Sequence, residues 1–450
     1  MTRNLRLTLV GLGLLAVGPA GLRAQPAGDS LTLAQAVRLA LASHPRALAA
    51  RARSAAADAQ VGEAAGRRFP QINLQATATR YQEPWIVAPL HGFDLTSPPT
   101  FDQTLLQGTA TLAYTLFDGG ARGARVGGAR AQAGAAEWDV AATEAALIAE
   151  VARRYLGVLT AAGVLAAHDE GWAALRAEST RVERLLAEGR AAPVQALQVA
   201  AALAQAEAAR VGAATRLEVA TLDLARVIAR GDSAPQPGSL RAVRLRDTTP
   251  LARVPLQAAA RGGSPQVAAA REQAEGARRG RAAALAQWFP QVDLVGGYLG
   301  FASGAGDYSA EWQFGVRLSY PLFTGAARAA AVRRAGAELR AAEARVLDAE
   351  TEVAGALDRA LAADQEAGAR VAAGIRATRH LGELTRIERL RLETGVGTET
   401  DFLRAEADFR RAQAELVEAR HAAILARVEV ARLTGALTEE WVATMVEAMP

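Results

Sequence analysis

Few residues in this 450-residue chain have the type and spacing to do chemistry. Five histidines, His44, His91, His168, His380 and His421, are scattered, and no cysteine exists to complete a metal site with them. No HExxH pair sets two imidazoles on one helical face. GGARGARVGG at 119–128 lies where a strand would give way to a helix, the setting of a phosphate loop. It has neither a GK[ST] end nor GxGxxG spacing, and its counterpart GAARAAAVRR has lost most of the glycines, so a flexible bend explains it better. No GxSxG elbow presents a serine, and carboxylates are spread over helical faces where no pair stands out. The sequence predicts no enzyme, no cofactor and no resident metal.

One acidic position stands apart. In LRLETGVGTETDFLRAEA, Gly395 and Gly397 end one helix and Thr398 starts the next, with Asp401 three residues on as in a capping box. Asp401 is therefore read either as that cap alone, or as a member of a ring. In the second reading, copies of Asp401, with Glu399 and Arg404 nearby, surround a narrow passage and set its charge. The two readings are compatible.

The elements that position this turn come from a duplication. FPQINL at 69–74 returns as FPQVDL at 289–294, and Pro70 and Pro290 lie 220 apart (290 − 70), as do Pro45 and Pro265. Farther on the offset is 206: LFDGG starts at Leu116, LFTGA at Leu322, and Gly189 lies opposite Gly395. The difference, 14 residues, falls in the first copy between Pro70 and Leu116. A constant offset over such spans marks two copies of one unit. We divide the chain into a first repeat at 25–230, a linker at 231–251, a second repeat at 252–437 and a tail at 438–450.

Each unit opens with a helical segment, read as one helix from Leu31 to about Arg68 in the first. After FPQ the period becomes two. Ile72, Leu74, Ala76 and Ala78 face one way, and Asn73, Gln75, Thr77 and Thr79 the other. The return strand alternates Leu106, Leu112 and Tyr114 with Gln107, Thr109 and Thr115. In the second repeat Trp312, Phe314, Val316 and Leu318 alternate with Gln313, Gly315 and Arg317, and the strand around 292–301 is the least clear. The hairpins are placed at about 70–117 and 290–323. Strands with one apolar and one polar face suit a transmembrane β-barrel, apolar towards lipid and polar towards a lumen; a soluble sandwich hairpin is the alternative. Tyr114 and Tyr320 occupy matching strand ends and, with Trp312, are candidate membrane-interface aromatics.

A helical period then runs to tip turns at about 189–193 and 394–398. In the last helix Phe402, Phe409, Leu416, Ala423 and Val430 form one heptad row, and Ala405, Ala412, Ala419, Ala426 and Leu433 the other, which specifies a coiled-coil seam. The helix from 120 to 188 would be ~100 Å long. Two short helices stacked end to end beside each long one fit the segment lengths. Four strands cannot close a barrel, so the chain is expected to pool strands with copies of itself.

Composition supports an exported protein. Arg3 and Arg6 precede an apolar run from Leu7 to Val17, a Gly18-Pro19 break and Leu22-Arg23-Ala24, so residues 1–24 read as a signal peptide. Without cysteine there is no disulfide and no attachment point for a lipoprotein's lipid. Net charge is +4 and every basic residue is arginine, with no basic run interleaved with aromatics, so nucleic acid is not an expected partner.

In these features the chain resembles the TolC-like outer membrane efflux proteins. LTLAQAVRLALASHPRALAARA resembles the opening helix of that family, FPQINL and FPQVDL its helix-to-strand entries, and LFDGG and LFTGA its strand-to-helix exits. The family signature G-x-x-[ST]-x-x-D-x-L-x-A appears as Gly395, Thr398, Asp401, Leu403 and Ala405. The first copy keeps Gly189 and Leu197 but has Ala192, Gln195 and Val199. The resemblance implies a mainly α fold with membrane β. It implies a homotrimer whose four strands per chain make a 12-stranded outer membrane β-barrel above a periplasmic α-helical coiled-coil barrel. It further implies helix tips, at Gly189, Arg190, Gly395, Val396, Gly397 and Thr398, that meet a periplasmic adaptor bound to an inner membrane transporter. The acidic positions of the second hairpin would close the tunnel. Asp401 matches the first of them, but the second falls on Arg404, which brings in an Asp401–Arg404 latch between helices as another arrangement. The linker and the tail would belong to a belt around the tunnel. The function expected is a passive exit duct for a tripartite efflux or type I secretion system; a soluble periplasmic scaffold or adaptor is the rival.

Overall fold

The computed structural model describes residues 31–91, 96, 98–228 and 239–449. The expected signal peptide and residues 231–238 of the linker lie outside the described residues.

The opening segment is two helices rather than one: α1 (Leu33–Ser43) and α2 (Pro45–Gly66) meet at His44, whose ψ of 130° is extended. Pro45 explains the break, because a residue before proline is pushed out of the helical region while proline itself is at home in a first turn. After α2 come the hairpin β1 (Gln71–Ile86) and β2 (Phe101–Phe117), the helix α3 (Ala121–Ala187) and α4 (Pro193–Val227). A short strand β3 (Val243–Leu245) precedes the second round: α5 (Arg253–Gly263), α6 (Pro265–Ala286), β4 (Gln291–Ser303), β5 (Tyr308–Ser319), α7 (Ala327–Glu393) and α8 (Glu399–Leu433). The tail forms α9 (Glu439–Met445) and β6 (Val446–Ala448). Both long helices have 67 residues and both tip helices 35, which is the duplication expressed in three dimensions.

Helix α3 packs against α2 and α6 along one half and against α4 and α8 along the other, and α7 takes α6 and then α8. Short helices therefore do stack end to end beside long ones. The α8 seam follows the heptads: Phe402, Ala405, Ala412, Leu416, Ala419, Ala426, Val430 and Leu433 are buried, and Phe409 and Ala423 are half-buried. Small residues on α7 let the helices come close, and a Cβ at Gly382 would sit 3.1 Å from the Phe409 ring. Thr385 Oγ1 donates across this seam to the Ala405 carbonyl at 3.0 Å.

All four long strands form one antiparallel sheet in the order β1-β2-β4-β5. They run 12 to 17 residues, and the strand that is least clear in the sequence extends from Gln291 to Ser303. Residues opposite each other share a face. One face carries Leu74, Ala110, Tyr298 and Trp312 in register, and the other Asn73, Thr111, Gly297 and Gln313. Ile72 and Leu74 are 75% and 84% exposed, so the apolar face lies uncovered within one chain.

Linker and tail meet near the middle of the helices, where β3 pairs antiparallel with β6. Leu240, Val243, Leu437, Val442 and Val446 join α1 and the middle of α3 in the largest hydrophobic cluster. Tyr155, fully buried on α3, donates its hydroxyl towards the carbonyls of Leu31 and Arg241 at 2.8 and 2.7 Å. Arg427 of α8 ties down the rest of the linker by pairing with Asp364 at 2.9 Å and donating to the carbonyls of Asp247 and Thr249.

Candidate functional site

Both helical hairpins turn at the end of the molecule away from the sheet. At the second, Gly395 has φ +77°, and the amides of Val396 and Gly397 both donate to the Arg391 carbonyl at 2.9 Å. A left-handed residue just past a helix is a favoured stop, and glycine takes that conformation without the Cβ penalty. Gly397 is needed for space, since a Cβ there would lie 2.8 Å from that of Arg391. At the first hairpin Gly189 has φ +72° and Arg190 donates its amide to Leu185 at 2.8 Å. The Arg190 side chain pairs with Glu188 in solvent.

Thr398 caps α8: its hydroxyl oxygen accepts from the Asp401 amide at 3.1 Å and its hydroxyl donates to the Asp401 carboxylate at 2.6 Å. The box is not the reciprocal one expected, because the carboxylate takes the hydroxyl rather than the Thr398 amide. Aspartate is one methylene shorter than the glutamate that usually reaches back. The first copy has the complementary half, with Gln195 Oε1 accepting from the Ala192 amide at 3.0 Å and no side-chain acceptor at Ala192.

The three charged candidates at this tip separate. Asp401 and Arg404 are exposed and form no ion pair with each other among the described residues. Glu399 is only 5% exposed and turns into the protein, against α3. Its Oε2 accepts from Arg181 Nη2 at 2.9 Å, while Arg181 also holds Glu178, its Nε 2.9 Å from each carboxylate oxygen. Glu399 Oε1 is buried with no hydrogen-bond partner. Burial first, then the neighbouring Glu178 carboxyl, push the Glu399 carboxyl up to about 7. Burial also opposes the charge on Glu178, but hydrogen bonds from Arg181 and Glu399 outweigh it and hold Glu178 below the usual range. Two turns farther along, Glu406 is buried and paired with Arg410, which also reaches Glu170 on α3. Glu178 and Arg181 were not legible as site residues: neither belongs to a motif, and only the fold brings them to Glu399.

At the other end, Tyr114 and Tyr320 stand where strands give way to α3 and α7. Each has an arginine over its ring, Arg122 at 6.0 Å and Arg328 at 5.4 Å. Trp312 lies far along β5 on the apolar face, 78% exposed and opposite Tyr298. On the polar face, His91 Nε2 is 2.8 Å from Glu311.

Each chain leaves matching edges unfilled. Strands β1 and β5 have a sheet neighbour on one side only. Helices α4 and α7 flank the α3–α8 pair, and they carry exposed apolar side chains such as Val211 and Val219 on α4 and Leu384 and Leu390 on α7. Among the described residues no helix is long and apolar enough to cross a membrane.

Known structures share this architecture. The outer membrane protein VceC of Vibrio cholerae aligns over 90% of this chain and 96% of its own, with a TM-score of 0.73 at 21% identity. A membrane protein from Pseudomonas aeruginosa aligns over 91% of both chains, with a TM-score of 0.76 at 21% identity. The CmeC outer membrane channel of Campylobacter jejuni covers 97% of this chain and 95% of its own, at 15% identity and a TM-score of 0.75. In sequence, Protein CyaE of Bordetella pertussis is 29% identical over 390 residues, 84% of this chain and 78% of that protein. The model of the outer membrane efflux protein family matches residues 36–230 and 256–436, one span for each repeat. With both copies matched and the helix-strand-helix order reproduced throughout, the chain belongs to the outer membrane efflux protein family.

Proposed function

We propose that the protein is a passive exit duct that carries substrates across the outer membrane in a tripartite efflux or type I secretion assembly. The observation that carries this reading is the pair of open edges. A strand edge in lipid would leave backbone groups unpaired, so β5 of one copy must meet β1 of the next. The same rotation brings α7 of one copy to α4 of the next, so one symmetry operation closes sheet and helices together. Three copies of four strands give the 12-stranded barrel, whose apolar face meets lipid and whose polar face, with Gln107, Thr109 and Gln313, lines the lumen. The helices then hang in the periplasm as a long tunnel.

The tips at Gly189, Arg190 and Gly395 to Thr398 are the parts farthest from the membrane, where a periplasmic adaptor joined to an inner membrane transporter would dock. Asp401 and Arg404, exposed at that end, would set the charge of the tunnel entrance, each facing its copies or pairing across protomers.

Fractionation of expressing cells, followed by unheated gel electrophoresis of the outer membrane, tests this reading. A heat-labile trimer in the outer membrane is the expected result, and a soluble monomer in the periplasm would overturn the duct.

A further inference from the structure

We propose that the tip carries a proton-operated latch, in which one proton shared by Glu399 and Glu178 holds the second helical hairpin against α3, and its loss frees that hairpin. The geometry starts from a buried oxygen without a partner. Glu399 Oε2 is satisfied by Arg181, but Oε1 meets no donor, and a buried acceptor left alone costs far more than an exposed one. A carboxyl proton removes the difficulty, since a protonated Glu399 donates to the Glu178 carboxylate beside it. Arg181 donates to both acids, through Nε to Glu178 and through Nη2 to Glu399, but its single positive charge cannot neutralise two carboxylates. Two carboxylates and one guanidinium would leave a net negative charge in a site only 5% exposed at Glu399.

Among the described residues the surroundings supply no second cation. On α3, Arg184 turns to the Thr180 carbonyl and Glu183 accepts from Ser179. Helix α4 has no charged side chain before Glu207. On α7, Arg391 pairs with Glu388, and Arg389 lies over the Phe402 ring, 4.0 Å from Glu406. On α8 itself, Asp401 bonds Thr398, Arg404 is exposed, and Arg410 is taken by Glu406 and Glu170. Two influences work against the proton, the charge and hydrogen bond of Arg181 and the N-terminus of α8, which favours an anion near its first residue.

The sign follows. The Glu399 carboxyl is raised by burial and by Glu178 to about 7, so the latched tip binds a proton that a freely solvated tip has already lost. The latched form is therefore favoured in mild acid and loses that advantage as pH rises through about 7. Glu178 is held low, so in stronger acid it too takes a proton and its bonds to Arg181 weaken. The latch holds best in the window between, and that the freed hairpin widens a passage rests on the reading of the tips as the tunnel entrance.

The chain has no cysteine, so Val396→Cys, at an exposed position, takes a spin label uniquely. The full-length protein in lipid nanodiscs should show label mobility rising severalfold between about pH 6 and pH 8. Glu399→Gln, which keeps the donor without the charge, should abolish the rise. Should that variant fold poorly, Glu178→Gln removes the like charge and should move the transition to lower pH. A flat profile in the parent protein, or an unchanged transition in Glu399→Gln, overturns the latch. Bilayer conductance separates the two readings. A rise over the same interval supports both, whereas flat conductance with a mobile label keeps the latch and removes the tip as the constriction.

Discussion

The guanidinium of Arg328 lies 5.4 Å over the ring of Tyr320, and Arg122 stands 6.0 Å over Tyr114. Both partners differ by the same repeat offset (328 − 122 and 320 − 114 are each 206). At the second site Arg328 is buried, stacks on Trp288 at 4.8 Å and donates to the Pro321 carbonyl at 2.7 Å. These pairs fix the bend at which a flat strand becomes a long helix, so the angle between sheet and helices is set twice per chain.

Arg328→Met keeps the stem and removes the charge, the stacking and the carbonyl bond. The expected cost is about 2–4 kcal/mol, from one charged hydrogen bond and a partly buried cation–π contact. Thermal unfolding followed by circular dichroism in detergent measures it. A melting temperature equal to that of the parent protein would show that the glycine bends alone hold the angle.

Asp401 has two roles that one substitution can separate. Asp401→Asn retains an acceptor for the Thr398 hydroxyl, and the 401 amide still donates to Thr398 Oγ1, so the cap survives while the charge goes. Cation preference in planar bilayers should fall, with helix content unchanged. Unaltered selectivity would reduce Asp401 to its cap, whose own value is given by Thr398→Ala at about 1 kcal/mol.

The two glycines of the second tip should respond differently. Gly395 needs only its positive φ, with open space around a Cβ, so Gly395→Asn should export normally and Gly395→Val should not, at a local strain of ~1–2 kcal/mol. Gly397 needs room beside Arg391, so even Gly397→Ala should disturb the turn. Export assays with trimer content as control decide this; loss of trimers would make both glycines purely structural.

How far the sequence reveals this molecule depends on whether the deciding residues are neighbours along the chain. The heptads of α8 and the alternation of β2 and β5 are local periods, and they locate seam and faces correctly. The break at His44 was also present in the sequence, since Pro45 forbids a straight run through it, but the alanine-rich pattern on both sides hid it. The sequence places Glu399 beside the Asp401 ring, because it lies two residues from Asp401 in the chain. Its burial against Glu178 and Arg181 depends on how the second hairpin sits on α3, 218 residues away, and no local pattern encodes that. Nor does any motif announce that Val243–Leu245 pairs with Val446–Ala448, two strands of three residues each.

Arg427 gives the clearest test of that long-range packing. Its side chain is 7% exposed, that of Asp364 is 12% exposed, and two of its donors hold linker carbonyls of Asp247 and Thr249. Removing one partner of such a pair strands a buried charge, so Arg427→Met should cost about 3–5 kcal/mol. Asp364→Leu alone strands the guanidinium, though the two carbonyls still accept from it, so its cost should be smaller. The double variant should be more stable than the sum of the single losses predicts, by the coupling that a double-mutant cycle on melting temperatures reports. Additive losses would mean that Arg427 acts through the linker carbonyls alone. In that case limited proteolysis should find the segment around Asp247 cut in Arg427→Met and protected in Asp364→Leu.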